Sequence, residues 1–259
     1  MTKNMEVKKH RGSRIHILKW VKRPDFTDQL SHLLCPTGAI IKCTDKWQPK
    51  GCSKFDKDEV RLKWFCQTLN INKETLWKWW LVHWGNMPNW DLASTCTIKG
   101  EKGLILIEAK AHTNELNTDG KRLALNASVR SRKNHEQICQ AISEASHALS
   151  EVVKGIDISC CTHYQLANRI AFSWKIASLG IPVILVYLGF LGDKSWQDKF
   201  TDNNHWNCEL RKYMDKHVPE DFIDQWICCG KSKMQMIIRS LPVEKCYNSE
   251  PHTEIQIEE

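Results

Sequence analysis

Three charged residues lie where the surrounding sequence predicts buried β-strands. Glu108 and Lys110 fall near the end of the otherwise apolar run 103–112, and Asp91 lies near the start of the preceding run, 90–98. Because side chains alternate along a strand, Glu108 and Lys110 point to the same face. Two carboxylates and an ammonium group in such a place suit metal-assisted hydrolysis of a phosphodiester, since Mg²⁺ prefers oxygen ligands and a lysine can orient or activate the attacking water.

A β-hairpin would bring these residues together. The two runs flank a short glycine-containing segment, residues 99–102, which is typical of a hairpin turn. If Ile98 pairs with Gly103, Asp91 lies opposite Lys110, and directly opposed Cβ atoms are about 5 Å apart. We then expect Asp91 and Glu108 to share a metal ion beside Lys110. The alternative is structural: Glu108 and Lys110 form a salt bridge at an exposed strand end, and Asp91 is an ordinary turn residue.

The segment PNWD at residues 88–91, followed 17 residues later by EAK at residues 108–110, resembles the motif of the PD-(D/E)XK nuclease superfamily. The resemblance implies a restriction-endonuclease-like αβββαβ core over residues 56–192. It also implies that Asp91 and Glu108 bind Mg²⁺, for which Mn²⁺ can substitute, and that Lys110 activates water. Two residues separate Pro88 from Asp91, and the family's spacing is loose at this point. For the third core strand we predict residues 122–129.

Two further positions match places where members of this family carry functional residues. Glu59, in the first predicted core helix, resembles an additional metal ligand, with a solvated surface position as the alternative. Gln165, in the helix predicted over 162–179, resembles a glutamine that would position the scissile phosphate. Arg169 lies one turn further on the same helix face and would contact the phosphate through two hydrogen bonds. The alternative is that this face pairs with a neighbouring element.

A cluster of basic residues precedes the helix predicted over 133–153. It consists of Arg130, Arg132 and Lys133. Positive charge at a helix N-terminus opposes the helix dipole. Contact with a substrate phosphate would explain the cluster, and simple solvation is the alternative.

The net charge of +7 is concentrated at the N-terminus. Residues 1–23 contain eight basic residues and one acidic residue, and the remaining chain contains 29 of each. A basic arm can bind nucleic acid through counterion release, or it can be a solvated terminus. We predict a basic arm with an irregular segment over residues 1–55 and a helical extension with an acidic tail over residues 193–259.

The order of predicted elements indicates a mixed α/β fold, with helices packed against a small mixed sheet and additional helices outside the core. Besides the hairpin, apolar periodicity predicts helices near 58–69, 73–84, 133–153 and 162–179, and a buried strand over 181–190. Further helices are predicted near 205–217 and 220–228, before an apolar run at 234–241.

Composition argues against membrane and secretory classes. The longest apolar stretch, residues 181–191, is well short of the roughly 20 residues of a spanning helix, and the basic N-terminus has no apolar segment behind it. The twelve cysteines therefore predict reduced thiols in a cytoplasmic protein. A zinc site made of His32, Cys35, Cys43 and Cys52 stays open, although no CxxC pair occurs among them.

Together these features predict a Mg²⁺-dependent nuclease, in first place a DNA endonuclease, with RNA not excluded as substrate. The alternative is a non-catalytic nucleic-acid-binding module on the same fold. A homodimer would allow a chain with one site to cut both strands of a duplex.

Overall fold

The computed structural model of the protein describes residues 12–51 and 62–247. Within these ranges seven strands form one mixed sheet. They are β1 (Ala39–Ile40), β2 (Trp47–Gln48), β3 (Leu92–Ile98), β4 (Glu101–Lys110), β5 (Val183–Leu191), β6 (Trp226–Cys229) and β7 (Ser232–Pro242).

Seven α-helices accompany the sheet in the same ranges, and they confirm the prediction of a mixed α/β fold. They are α1 (Ser13–Trp20), α2 (Phe26–Leu34), α3 (Leu62–Leu69), α4 (Lys73–Trp80), α5 (Val129–Ser150), α6 (Tyr164–Ser178) and α7 (Asn203–Met214).

The three longest strands lie side by side in the middle of the sheet. The strand order is β1-β3-β4-β5-β7-β6, and β2 also pairs with β3. Strands β4, β5 and β7 are parallel to one another, so their carboxyl ends meet at the same edge. Parallel strands are covered on both faces. This explains why β4 and β5 have continuous apolar sequences rather than alternating ones.

Alternate residues of β4 face two different layers of helices. Leu106 is buried in a core formed with α3 to α7, whereas Ile107 is buried in a second core with α1 and α2. Glu108 and Lys110 lie two and four residues after Leu106, so their side chains are on the same face of β4 and point to the layer that contains α6. The prediction that these two charged residues share one face is confirmed.

The described part of residues 1–55 differs from the predicted arm and irregular segment. Helices α1 and α2 pack on the sheet, with Ile17, Trp20 and Leu30 fully buried. Basic residues such as Lys19 interrupt the apolar sequence of α1 and hide its helical spacing. Residues 12–23 therefore belong to the folded core, and the prediction of a separate arm is wrong for them. Residues 1–11 lie outside the described residues.

The segment 193–259, predicted as a helical extension, contributes two strands to the sheet. Strand β7 lies between β5 and β6, so the boundary predicted after residue 192 is wrong. The helix predicted over 220–228 is a short 3₁₀ turn, Glu220–Phe222, followed by β6. A hairpin through Gly230, at φ 65°, joins β6 to β7. The acidic tail after residue 247 lies outside the described residues.

Residues 122–129 do not form the predicted third core strand. Residues 122–128 form a loop, and Val129 is the first residue of α5. In this loop the Ala127 N–H donates to the Ala124 carbonyl at 3.0 Å. This hydrogen bond is that of a turn and not one between paired strands. The additional strands of the sheet come from residues 39–48 and 226–242 instead.

The cysteines differ from the prediction at one pair. Cys139 in α5 and Cys160 before α6 form a disulfide, with Cα atoms 5.3 Å apart, whereas the composition predicts reduced thiols. Within residues 12–51 and 62–247 no group of three or more histidine, cysteine or carboxylate side chains is placed to hold a metal ion. His32, Cys35 and Cys43 thus form no such group, and Cys52 lies outside these ranges.

None of the helices in the described ranges has both the length and the apolar character that crossing a bilayer requires.

Candidate active site

Asp91, Glu108 and Lys110 lie on one face of the sheet, near the carboxyl end of β4. The observed β3–β4 register pairs Ile98 with Glu101 and Leu92 with Ile107. One further pair in this register places Asp91 opposite Glu108, so the predicted pairing of Asp91 with Lys110 is wrong by two residues. A shift of two residues preserves the face of each side chain, and the three residues stay together.

The hairpin turn explains the difference in register. The turn has two residues, Lys99 and Gly100, and both have positive φ angles, 51° and 87°. This backbone matches the right-handed twist of two antiparallel strands, which is why two-residue turns of this kind dominate hairpins. Glu101 and Lys102 therefore belong to β4 rather than to the turn.

Glu108 is the centre of a buried ion-pair network. Its side chain is almost fully buried, with the residue 1% exposed. Its Oε1 accepts a hydrogen bond from Lys110 Nζ at 2.7 Å, and its Oε2 accepts one from Arg169 Nε at 2.6 Å. Burial raises the pKa of Glu108, but the charges of Arg169 and Lys110 outweigh burial and lower it below its usual value. Glu108 is therefore an ionised carboxylate with both oxygens paired.

Asp91 is tied to the backbone of β4. Its Oδ2 accepts a hydrogen bond from the Ala109 N–H at 2.8 Å. Burial and the nearby charge of Glu108 raise the pKa of Asp91 to about 7, against the opposing effect of Lys110. Two carboxylates on one face, one of them with a raised pKa, are typical of functional sites, where like charges lie close together.

Lys110 bridges β4 and α6. Its Nζ donates to Glu108 Oε1 and to Gln165 Oε1, each at 2.7 Å. Gln165 lies in the first turn of α6, and the predicted proximity of Gln165 to the acidic and basic residues of β4 is observed. The amide oxygen fixes the ammonium group without neutralising its charge.

Arg169 lies one turn after Gln165, and its guanidinium points to Glu108 rather than outwards. The Arg169 side chain donates from Nε to Glu108 and from Nη1 to Asn168 Oδ1 at 2.6 Å. Its Cζ lies 4.7 Å from the centroid of the Trp90 ring, within cation–π range. The sequence predicts a substrate contact for Arg169, whereas the structure places it as the principal counter-charge of Glu108.

A cleft of about 530 Å³ opens beside this network. One wall is the segment 117–122, and the other is the start of α6 with Gln165 and Arg169. Lys121 and Arg122 line the first wall, where Arg122 forms an ion pair with Asp119 at 2.8 Å. With Arg169 on the other wall, the lining side chains have a positive balance of charge. An anionic substrate would be attracted to such a cleft.

The predicted cluster at the start of α5 lies next to this wall. Arg130, Arg132 and Lys133 are exposed, and α5 contacts the wall through His135, whose Nε2 lies 3.0 Å from the Lys121 carbonyl oxygen. Arg132 does not point freely into solvent, because its guanidinium donates to two backbone carbonyls of the loop before α5. Glu59, the predicted additional ligand, lies outside the described residues.

Three contributors to the site were not predicted from the sequence. Trp90 and Asn168 contact Arg169, and each is the direct sequence neighbour of a predicted site residue. Tyr187 of β5 pairs with Glu108 in the parallel register. Its hydroxyl is buried and has no hydrogen-bond partner within the described residues. Because Glu108 and Tyr187 lie far apart in the chain, no local sequence pattern predicts that they pair.

Asp91 and Glu108 are the residues of this site that could hold a hard divalent cation, because both side chains end in carboxylate oxygens. Asp91 and Glu108 supply carboxylate oxygens from adjacent strands on one face. Burial is the main cause of the raised pKa of Asp91 and the charge of Glu108 adds to it, whereas the charges of Lys110 and Arg169 lower it. Two protein carboxylates with water in the other positions are the usual environment of Mg²⁺ in phosphate chemistry.

Comparison of the chain with protein-family models, with curated proteins and with solved structures finds no match. The chemistry of the site therefore has to follow from its own residues.

Proposed function

We propose that this protein is a Mg²⁺-dependent DNA endonuclease with a PD-(D/E)XK type of site. The observation that carries the proposal is the placement of Asp91, Glu108 and Lys110 on one face of the sheet, beside a cleft whose lining has a positive balance of charge. A buried cluster of charges costs desolvation energy that an apolar core would avoid. Such a cluster at the end of a strand next to a cleft is accordingly a candidate for function.

The role of each residue follows from its contacts. Asp91 and Glu108 would hold the cation, which supplies positive charge to the phosphoryl group and to the water bound to it. Lys110 has three N–H groups, and Glu108 and Gln165 accept hydrogen bonds from two of them. The third is assigned to the attacking water or to a phosphate oxygen. Arg169 keeps Glu108 ionised and in place.

The topology supports a revised assignment of the αβββαβ core. Helices α1 and α2 serve as the first helical element, and the short strands β1 and β2, both paired with β3, serve as the first strand. Strands β3 and β4 carry the motif residues, α5 and α6 form the second helical layer, and β5 is parallel to β4. In this assignment α3 and α4 are an insertion before β3, and residues 193–247 extend the sheet.

The test is a cleavage assay on supercoiled plasmid, linear duplex, single-stranded DNA and RNA, each with Mg²⁺, Mn²⁺ or EDTA. We expect cleavage of DNA with either metal and none with EDTA. The variants Asp91→Asn, Glu108→Gln and Lys110→Met should each lower the rate about a hundredfold or more, because each removes charge stabilisation from the reaction. The matched control is Glu101→Gln, an exposed position at the other end of β4.

Three outcomes would contradict the proposal. One is the absence of cleavage of every nucleic acid in both metals by the folded protein. Another is full activity in either carboxylate variant. DNA binding without cleavage, measured by fluorescence anisotropy, would instead favour the non-catalytic binding module.

A further inference from the structure

The loop between the cleft wall and α5 exposes an unusual amount of apolar surface. Of the eight large apolar side chains that are exposed in the described ranges, three fall within seven residues of this loop and the start of α5. They are Leu123 (40% exposed), Leu125 (100%) and Val129 (70%). Single exposed apolar residues are common, but a cluster of them marks an interaction site.

The tip of this loop is held in a defined shape. Arg132 Nη2 donates to the Leu125 carbonyl at 3.2 Å, and Arg132 Nε donates to the Ala127 carbonyl at 3.1 Å. The Ala127 N–H closes a turn on Ala124. These bonds present the Leu125 side chain to solvent on a fixed backbone, so ordering entropy is already lost before any partner binds.

Positive charge surrounds the apolar tip on both sides. Residues 121–133 contain five basic residues and no acidic residue. Lys121 and Arg122 also line the cleft beside Gln165, so the charged loop and the candidate site share one surface. An apolar tip within a cationic frame fits a polyanion that can receive an apolar side chain between stacked bases.

We propose that Leu125 is a wedge that inserts between base pairs of duplex DNA and opens the stack next to the cleft. The proposal rests on the proposed function for the identity of the nucleic acid. Apolar wedges of this kind unstack a base step and kink the duplex. Steps that are already weak, such as mismatches, nicks or pyrimidine–purine steps, are the easiest to deform, so the wedge would favour duplexes weakened near the cut.

The test measures base stacking without cleavage. Wild-type protein is mixed in EDTA with duplexes that carry 2-aminopurine at successive positions, and both anisotropy and 2-aminopurine emission are recorded. We expect emission to rise at one or two adjacent positions on binding, because unstacking relieves quenching. Leu125→Ser should abolish this rise and weaken affinity for a mismatched duplex about tenfold, since the leucine surface then stays in water.

Two variants separate the wedge from general effects. Leu125→Met keeps an apolar side chain of similar volume and should restore the emission change. Val152→Ser changes a residue that is also exposed, at 54%, and that lies just beyond the C-terminal end of α5. It should behave as wild type. The same variants are tested for binding to anionic phospholipid vesicles.

The outcomes distinguish the wedge from the catalytic proposal. Binding and cleavage with no emission change at any probe position, or an unchanged signal in Leu125→Ser, would overturn the wedge and leave the nuclease standing. A Leu125-dependent emission change without cleavage in Mg²⁺ would support the wedge and contradict the nuclease. Leu125-dependent binding to vesicles without DNA binding would overturn the wedge in favour of a membrane surface.

Discussion

The carboxylate of Asp91 accepts a hydrogen bond from the backbone N–H of Ala109 at 2.8 Å. This bond fixes the residue before β3 to the peptide group that joins Glu108 to Ala109, one residue before Lys110. Any change in the protonation of Asp91 therefore acts directly on the strand that carries the other two charged residues.

The stability of the protein should depend on pH through Asp91. Its pKa is raised from 3.8 to about 7 in the folded protein, so the folded state holds a proton that the unfolded chain releases. The stabilising contribution of this group is complete below pH 4 and is lost as pH rises through about 7. Asp91→Asn mimics the protonated form and keeps an acceptor for the Ala109 N–H.

Urea unfolding of both proteins from pH 4 to pH 8 measures this contribution. The free energy of unfolding of wild type, relative to Asp91→Asn, should fall by a few kcal/mol across that range. The pKa of Glu108 is lowered, so Glu108 also contributes to the free energy of unfolding, and this contribution is lost in acid. Because both proteins contain Glu108, the comparison between them removes its effect. A constant difference between the two proteins would show that Asp91 titrates at its ordinary value.

Arg169 and Glu108 should show strong energetic coupling. Removing one partner of a buried ion pair leaves an uncompensated charge, so Arg169→Met should lower the free energy of unfolding by about 3 kcal/mol or more. The double variant Arg169→Met with Glu108→Gln should lose less than the sum of the single variants. Additive losses in a urea-based double-mutant cycle would mean that Lys110 alone compensates Glu108.

Two N-terminal deletions should distinguish the contribution of N-terminal charge to DNA binding from the contribution of α1 to folding. Removing residues 1–11 takes away four basic residues and one acidic residue, and should reduce the salt dependence of DNA binding while thermal unfolding stays cooperative. Removing residues 1–23 also deletes α1, whose Ile17 and Trp20 are fully buried, and should abolish cooperative unfolding. A stable protein after the longer deletion would contradict the packing of α1 on the sheet.

The disulfide between Cys139 and Cys160 should contribute measurably to stability. It closes a loop with a sequence separation of 21, for which the chain-entropy model gives about 3 kcal/mol. Cys139→Ser should lower the free energy of unfolding by about this amount, and Cys208→Ser, at an exposed free cysteine, should not. The same stability for both variants, or a full complement of reactive thiols in the unfolded protein, would contradict the bridge.

The extent to which sequence predicts this site depends on how local each determinant is. Strand alternation is local, so the common face of Glu108 and Lys110 was predictable. The register depends on turn geometry, and positive φ at Lys99 as well as Gly100 shortens the turn by two residues. A Lys-Gly pair carries only a weak signal for this, because lysine seldom adopts positive φ.

Other features could not be predicted because the residues that determine them lie far apart in the chain. The bond between Arg169 and Glu108 spans 61 residues, and no pattern near Arg169 distinguishes an internal counter-charge from a phosphate contact. Strand β6 is four residues long and includes two cysteines. Its place in the sheet depends on the hairpin with β7 rather than on its own composition.

The position of β7 has a consequence for the order in which the chain can fold. This strand is the last in sequence among the strands of residues 12–51 and 62–247, yet it lies between β5 and β6 and pairs with β5 along nine residues. Until residues 232–242 have left the ribosome, the edge of β5 that faces away from β4 has unpaired backbone groups and attracts other strands. Sheet closure therefore waits until residue 242 has been synthesised, and long-range pairing of this kind slows folding.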